Sequence, residues 1–542
     1  MISQPTNRAT PTMTYAPYRR LPGDTTQLPH VDVALVMEST YPYLKGGLSG
    51  VVHDIILNHP HLTFGIIFTT WDSSIELSPQ YAVPSNVKWV DVIYLSFEEN
   101  KEQFVEAVLT GQHPERAARA LASALHNPDA MWELYDDYIN PLTRTDSVWP
   151  ALTSRTLMKA MCKKYPQATL HSLLWRLRDF FSLAWALTDR VHPSASVYHA
   201  HTTGYASVIA SAAARQNCGK YFLTEHNLYA RDSTNTVLGR RPDQPVTLST
   251  PGEVADTHKQ MWAWWYTHMP LVTYPKAAHV TYLYPSAIDE ARTLGLDTRR
   301  TAVQVLPNAI DREAYLATRR KRAQHADRTD RTDRTDRTVR LACVARVVPI
   351  KGQLDLIDAV ALARDHGATN IRLDLLGPVN HDADYAAACR AKIRDHGLES
   401  VVTLKGMVRV DEALVNYDAT VLSSHNEAQP LVILESMTAG LPVLATDVGG
   451  VRDMVASEGL PAAGLVLPVG DLQAWARALV SLAQDPEQLE RFASGAVVRA
   501  DAAPCQATIM SAYNDIYARL GVTSAQRAAE PAPQPLLDMA AQ

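Results

Sequence analysis

Six short apolar runs recur through the second half of the chain: VRLACVAR (339–346), IRLDLLG (371–377), VVTLKG (401–406), ATVLSS (419–424), PVLATD (442–447) and GLVLPV (464–469). Each is the length of one buried strand, and helical stretches such as QLDLIDAVALARDHG lie between them. Continuous apolar strands that alternate with helices build a parallel sheet covered on both faces. The pattern predicts a Rossmann-like, doubly wound α/β domain over 339–505, followed by an amphipathic helix at 506–521 that includes ATIMSAYNDIYARLG (507–521).

The first half starts the same way. VDVALVME (31–38) reads as a buried strand, followed by the loop STYPYLKGGLSG, a helix from about Val51 to Asn58, and strands at TFGIIFTT (63–70) and VKWVDVIYL (87–95). Over 97–192 the period turns helical, in KEQFVEAVLTG, PERAARALASALHN and LHSLLWRLRDFFSLAWALTDR. Strands return with SVYHAH, KYFLTEHN, AHVTYLYP and TAVQVLPNAID, and GYASVIASAAARQNCG is a helix expected to end on its glycine. A second Rossmann-like domain is therefore expected over 30–310, with 97–192 as a helical insertion. Residues 1–29 and 522–542 are expected to be disordered tails. Residues 311–338 read as a linker ending in DRTDRTDRTDRT (327–338), a charged repeat with nothing to bury.

Bulk properties narrow the function. A chain of 542 residues exceeds one ordinary core, and a net charge of −6 gives no electrostatic reason to expect nucleic acid as a partner. No apolar run reaches the roughly 18 to 20 residues that span a bilayer. The most aromatic stretch, MWAWWYTHMPLVTY (261–274), is interrupted by His268 and Pro270, and its tryptophans at 262, 264 and 265 suit a core or interface. The N-terminus lacks the apolar segment of a secretory signal. Five scattered cysteines form no metal-like spacing and read as reduced thiols of a cytoplasmic protein. No cluster suggests a metal, and the DAD at 382–384 reads as a helix N-cap.

Two doubly wound domains present their strand C-terminal ends to a cleft, where ligands bind. Arg346 closes one strand and Lys351 lies five residues on, before a helix; two cations there suit a phosphate, although two surface charges would look the same. In NEAQPLVILE (426–435), Pro430 suits a first helical position, Glu427 precedes the helix and Glu435 sits one turn in. Such carboxylates could accept hydrogen bonds from sugar hydroxyls. They could equally be a dipole-capping carboxylate and a glutamate paired in the core.

With AGLPVLATDVGG behind it, NEAQPLVILE resembles the donor site of family 4 retaining glycosyltransferases of the GT-B fold, and RVVPIKG and VLPNAID resemble their phosphate-binding and interdomain segments. MESTYPYLKGGLSGVVHDII and YFLTEHN narrow the resemblance, over about 31–520, to PelF-type glycosyltransferases of Pel exopolysaccharide systems. The resemblance implies an N-terminal acceptor domain, a C-terminal nucleotide-sugar domain and a UDP-sugar donor without a metal. It implies a polysaccharide acceptor and an inner-membrane synthase complex as partner. Arg346 and Lys351 would hold the donor diphosphate at the helix N-terminus formed by Pro430, Leu431 and Val432. Glu435 would bind ribose, Glu427 and His201 the transferred sugar, and Gly46, Gly47 and His226 would line the facing side. Ser39, Ala345 and Ala428 stand where the family has glycine. A sugar phosphorylase on the same fold, and a non-catalytic nucleotide-sugar-binding subunit, are the alternatives.

Overall fold

The computed structural model of the chain describes residues 15–328 and 338–522. It contains two all-parallel sheets. The first comprises β1 (Tyr18–Arg20), β2 (Val31–Glu38), β3 (Phe64–Thr70), β4 (Val87–Tyr94), β5 (Ala195–Ala200), β6 (Lys220–Glu225), β7 (Ala277–Tyr282) and β8 (Ala302–Val305). The second comprises β9 (Val339–Val344), β10 (Ile371–Leu376), β11 (Val402–Gly406), β12 (Ala419–Leu422), β13 (Val443–Thr446) and β14 (Gly464–Leu467).

Strand order in the first sheet is β1-β4-β3-β2-β5-β6-β7-β8, and in the second β11-β10-β9-β12-β13-β14. Each order reverses direction at its centre, between β2 and β5 and between β9 and β12, with β1 added outside β4 in the first sheet. Loops leaving neighbouring strands at such a point diverge to opposite faces and open a crevice. The crevices therefore lie beyond Glu38 and Ala200 in one half, and beyond Val344 and Leu422 in the other. Every residue of β3 is buried, as a parallel strand covered on both faces requires.

Four helices, Phe97–Leu109, Pro114–His126, Arg155–Lys164 and Leu170–Thr188, fill most of the chain between β4 and β5 and share a core around Phe104, Trp149, Leu177 and Phe181. Trp262 and Trp265 pack against the core of the first sheet. Asp382 caps the helix Ala383–Asp395 by accepting from the Tyr385 amide at 2.9 Å.

Several expectations need correcting. Residues 15–29 are not a loose tail: β1 pairs with β4, Tyr18 opposite Trp89, and Arg20 Nε reaches Asp91 Oδ1 at 2.8 Å. Asp91 is 1% exposed in the middle of β4, and a carboxylate there requires cations, which Arg20 and Arg190 supply. Within the expected linker, residues 313–328 form a helix, Glu313–Arg328, whose Thr318 hydroxyl bonds to the Asp411 carbonyl at 2.5 Å. The DRT run falls mostly on residues 329–337, outside the described residues, as do the expected tails at 1–14 and 523–542. The first helix begins at Gly47 rather than Val51. The helix Tyr205–Gln216 ends through Cys218 in a left-handed conformation (φ 53°), one residue before the glycine expected to end it.

The helix Gln506–Arg519 crosses from the second half back to the first. Its Ile509, Met510, Tyr513, Ile516 and Tyr517 join the core made by Val33, Ile55, Ile56 and Phe222. Tyr517 OH meets His199 Nδ1 at 2.9 Å, and the Met510 carbonyl meets His59 Nε2 at 3.1 Å. Both histidines are buried, so each needs these partners. Tyr517→Phe, which keeps the ring but leaves His199 Nδ1 without its partner while Nε2 keeps Thr224 Oγ1 at 2.8 Å, should cost about 1–3 kcal/mol. A denaturant titration checks this, and an unchanged midpoint would show that the bond contributes nothing.

Candidate active site between two strand switch points

In the second half, the loops after β9 and β12 are welded together. Gly352 takes φ 64°, and a Cβ there would lie 2.1 Å from the Ser423 carbonyl oxygen, so only glycine fits. Ser423 Oγ donates to the Lys351 carbonyl at 3.0 Å, the His425 amide to the Ile350 carbonyl at 2.8 Å, and His425 Nε2 pairs with Asp355 at 2.9 Å. The weld brings Lys351 and Glu427 into a direct ion pair, and Ser424 Oγ donates to the same Glu427 oxygen at 2.7 Å. Behind Glu427, Gly449 takes φ 52°, where a Cβ would come within 2.0 Å of the Glu427 carbonyl, and the Gly450 amide holds the Ala428 carbonyl at 2.7 Å.

The helix Leu431–Thr438 follows directly. Pro430 is its N-cap (φ −68°, ψ 121°) rather than its first helical residue; its extended ψ keeps it outside the helix, and its missing N–H costs nothing in either place. Leu431 and Val432 form the first turn and are half-buried. Glu435, one turn in, lies near the Tyr315 side chain, and burial raises its carboxyl above the usual range. Arg346 is exposed, and among the described residues its guanidinium has no carboxylate partner. Its carbonyl accepts from Gln353 Nε2 at 2.8 Å, which fixes the loop.

In the first half, His201 follows β5 and His226 follows β6. His201 Nδ1 lies 2.9 Å from His226 Nε2, and the rings stack with centroids 5.1 Å apart. His201 Nε2 is buried without a protein partner among the described residues. Burial holds the His201 imidazole well below its ordinary range and pulls His226 down to about 4, so both are neutral at physiological pH. The pair can exchange hydrogen bonds with a sugar but carries no charge to it. No hydrogen bond or ion pair joins it to Arg346, Lys351 or Glu427 among the described residues.

Gly46 and Gly47 stand at the start of the helix Gly47–Asn58, and no protein atom lies within 4 Å of a Cβ placed on either. Of the three departures from the family's glycines, only Ser39 takes a positive φ (46°), with its amide held by the Thr69 carbonyl at 2.8 Å. Ala345 and Ala428 have no positive φ and carry no such strain.

Two carboxyls escaped the sequence reading. Glu38, at the end of β2, accepts from Thr202 Oγ1 and the Ala206 amide, each at 2.7 Å. Glu225, at the end of β6, accepts from the Tyr229 amide at 3.1 Å, and burial pushes it up to about 8. The available signal was an acidic residue closing an otherwise apolar strand, in VDVALVME and KYFLTE.

Fold and site together define a two-domain protein of the GT-B fold, with a charged loop-and-helix site in the second half and a neutral histidine pair at strand ends of the first. Residues 338–485 match the family model described as Glycosyl transferases group 1, and residues 31–297 match one described as a domain of unknown function, DUF3492. Over 204 residues the chain is 31% identical to a D-inositol 3-phosphate glycosyltransferase of Kineococcus radiotolerans, covering 35% of this chain and 47% of that protein. It is 42% identical over 101 residues to the same-named protein of Streptosporangium roseum, covering 19% and 22%. The chain thus spans less than half the length of these curated relatives. Among solved structures, a sucrose-phosphate synthase from Thermosynechococcus elongatus superposes with a TM-score of 0.55 at 15% identity, over 90% of this chain and 98% of that one. Anabaena Alr3699/HepE in complex with UDP and glucose superposes with a TM-score of 0.52 at 15% identity, over 90% and 100%.

Glu225 gives a measurable pH dependence. Its folded pKa lies above the usual value, so its contribution to stability is complete below the unfolded pKa and is lost as pH rises towards 8. Glu225→Gln keeps the acceptor for Tyr229 but cannot ionise. The variant should melt with the wild type near pH 5 and above it, by about 2 °C or more, near pH 8. Parallel melting curves at both pH values would show that Glu225 is not held protonated.

Proposed function

We propose that the chain is a retaining glycosyltransferase that moves a sugar from a UDP-sugar to a growing exopolysaccharide, in the manner of PelF-type enzymes. The observation that carries the reading is the Lys351–Glu427 pair beside the N-terminus of the helix Leu431–Thr438, at the switch point of the second sheet. Arg346, Lys351 and the amides of that helix stabilise the negative charge that develops on the departing diphosphate. Glu427, released from Lys351 when the diphosphate takes the ammonium, accepts from hydroxyls of the transferred sugar. His201 offers its unpartnered Nε2 from the opposite wall, and Glu435 accepts from the ribose. The glycosidic bond to the diphosphate breaks, the acceptor oxygen bonds to the anomeric carbon, and its proton leaves to the diphosphate.

These cations do the work that a metal does in other transferases, so the reaction needs none. Excess EDTA should leave turnover nearly unchanged, and a loss restored by magnesium or manganese would refute metal independence. The acceptor and the inner-membrane synthase complex follow from the sequence resemblance. Among the described residues no helix is long and apolar enough to cross a membrane, so membrane contact would come through that partner. Incubation with a panel of UDP-sugars, with UDP release and product both measured, tests the activity. Inorganic phosphate supplied as acceptor tests for a phosphorylase.

The two glutamates should fail differently. Glu435→Ala removes a hydrogen bond from a charged group, worth roughly 1.5–3 kcal/mol, and should weaken UDP about tenfold to hundredfold. Glu427→Ala frees Lys351 for the diphosphate, so UDP affinity should hold or rise while turnover falls. Calorimetric titration of UDP into wild type and both variants, beside a turnover assay, decides the matter. Equal UDP affinity in all three would remove Glu435 from the ribose site.

A further inference from the structure

The loop that carries Glu427 is gripped from the first half of the chain. Asn426, 7% exposed, donates from Nδ2 to Asp232 Oδ2 at 2.9 Å and accepts at Oδ1 from Arg231 Nη2 at 3.2 Å. Arg231 and Asp232 lie in the first turn of the helix Tyr229–Leu238, which starts just past β6 and His226. Arg231 is 5% exposed and is itself anchored by Glu290 at 2.9 Å, while Asn227 donates to Asp232. On the other side of the loop, Gln429 accepts from the Asn308 amide through its side chain and from Asn308 Nδ2, at 3.1 Å, through its carbonyl.

We propose that Arg231 and Asp232 are positioning residues for the donor site: they hold Asn426, and through it Glu427, in place only when the two halves close on each other. This rests on the reading of Glu427 as the residue that meets the transferred sugar. Every atom that holds Asn426 by its side chain belongs to the other half of the chain, whereas Lys351 and Ser424, which hold Glu427, belong to its own half. Nucleotide binding, confined to the second half, should therefore survive loss of the clasp, and turnover should not. A side chain as buried as Asn426 that kept neither partner would leave its amide unsatisfied, so an open cleft must hydrate it. The clasp thus favours the closed arrangement and sets the sugar-facing carboxylate in the same movement. Arg231 and Asp232 touch no reacting atom and act through Asn426.

The test is a double-mutant cycle of Asn426→Ala, Asp232→Ala and both together, with turnover, UDP affinity and the solution radius of gyration measured on the full chain. Each single change should lower turnover about tenfold or more, leave UDP affinity within about threefold and increase the radius of gyration. The double variant should lose less than the product of the two single losses, because both single changes remove the Asn426–Asp232 bond. Losses that multiply, or turnover that stays at wild-type level, would overturn the proposal. A fall in UDP affinity matching the fall in turnover would overturn it too, because the loop would then be damaged as a whole. Should Asp232→Ala fail to fold, Asp232→Ser takes its place in the cycle. If the wild type binds no UDP, the reading of the donor site fails by itself, and the radius of gyration alone then judges the clasp.

Discussion

The pairing of Lys351 with Glu427 organises the rest of the molecule. The two side chains are 19% and 12% exposed, so each has given up most of its water for the other. An ion pair in that position repays its desolvation only when its geometry is fixed and its spare lone pairs are met. Ser424 meets one of them, the weld at Gly352 fixes the lysine, and the Gly449 turn fixes the backbone of the glutamate. On the proposed reading, a diphosphate arriving at Lys351 would displace this carboxylate and leave Glu427 facing the crevice. That exchange would turn a self-satisfied pair into a bound anion and a free acceptor.

The two walls of the cleft are electrostatically unlike. The second half offers a guanidinium, an ammonium and a helix N-terminus. The first offers His201 and His226, which burial keeps neutral, with Glu38 and Glu225 behind them at the strand ends, where burial raises both carboxyls. A neutral polar wall suits hydroxyl groups, which it can orient by hydrogen bonds. Glu38 accepts from Thr202 and Ala206, and Glu225 from Tyr229, so these carboxyls order the loops that present the histidines.

Much of this was legible because parallel strands announce themselves. VDVALVME and the six runs of the second half fall on β2 and β9–β14 to within two residues, since a strand buried on both faces must be apolar throughout. Lys351 and Glu427 were readable as loop residues after strands, although nothing in their spacing showed that they would pair. What escaped was long-range. β1 is three residues long and mostly exposed, and only the aspartate inside VKWVDVIYL hinted that a cation must come from elsewhere. The helix Gln506–Arg519 was readable as amphipathic, but its partner surface lies some 450 residues earlier in the chain, as the His59–Met510 bond shows. The grip of Arg231 and Asp232 on Asn426 was equally invisible, because polar contacts between halves leave no periodicity.

The departures at Ser39 and Ala428 differ in physical kind. Ser39 keeps the left-handed backbone that a glycine would adopt freely, so the chain accepts local strain and answers it with two bonds to the Thr69 carbonyl, from the amide at 2.8 Å and from the hydroxyl at 3.3 Å. That the strain persists means the loop after β2 needs this conformation whatever residue supplies it. Ala428 has no such conflict, and its methyl packs against the core of the first half. A glycine there would offer backbone freedom beside Glu427; the alanine gives that up for apolar contact across the cleft, worth about 0.8 kcal/mol per buried methylene. That contact exists only while the halves are together. The substitution therefore acts in the same direction as the Asn426 clasp: both stiffen the loop that carries Glu427 and tie its shape to contact between the halves.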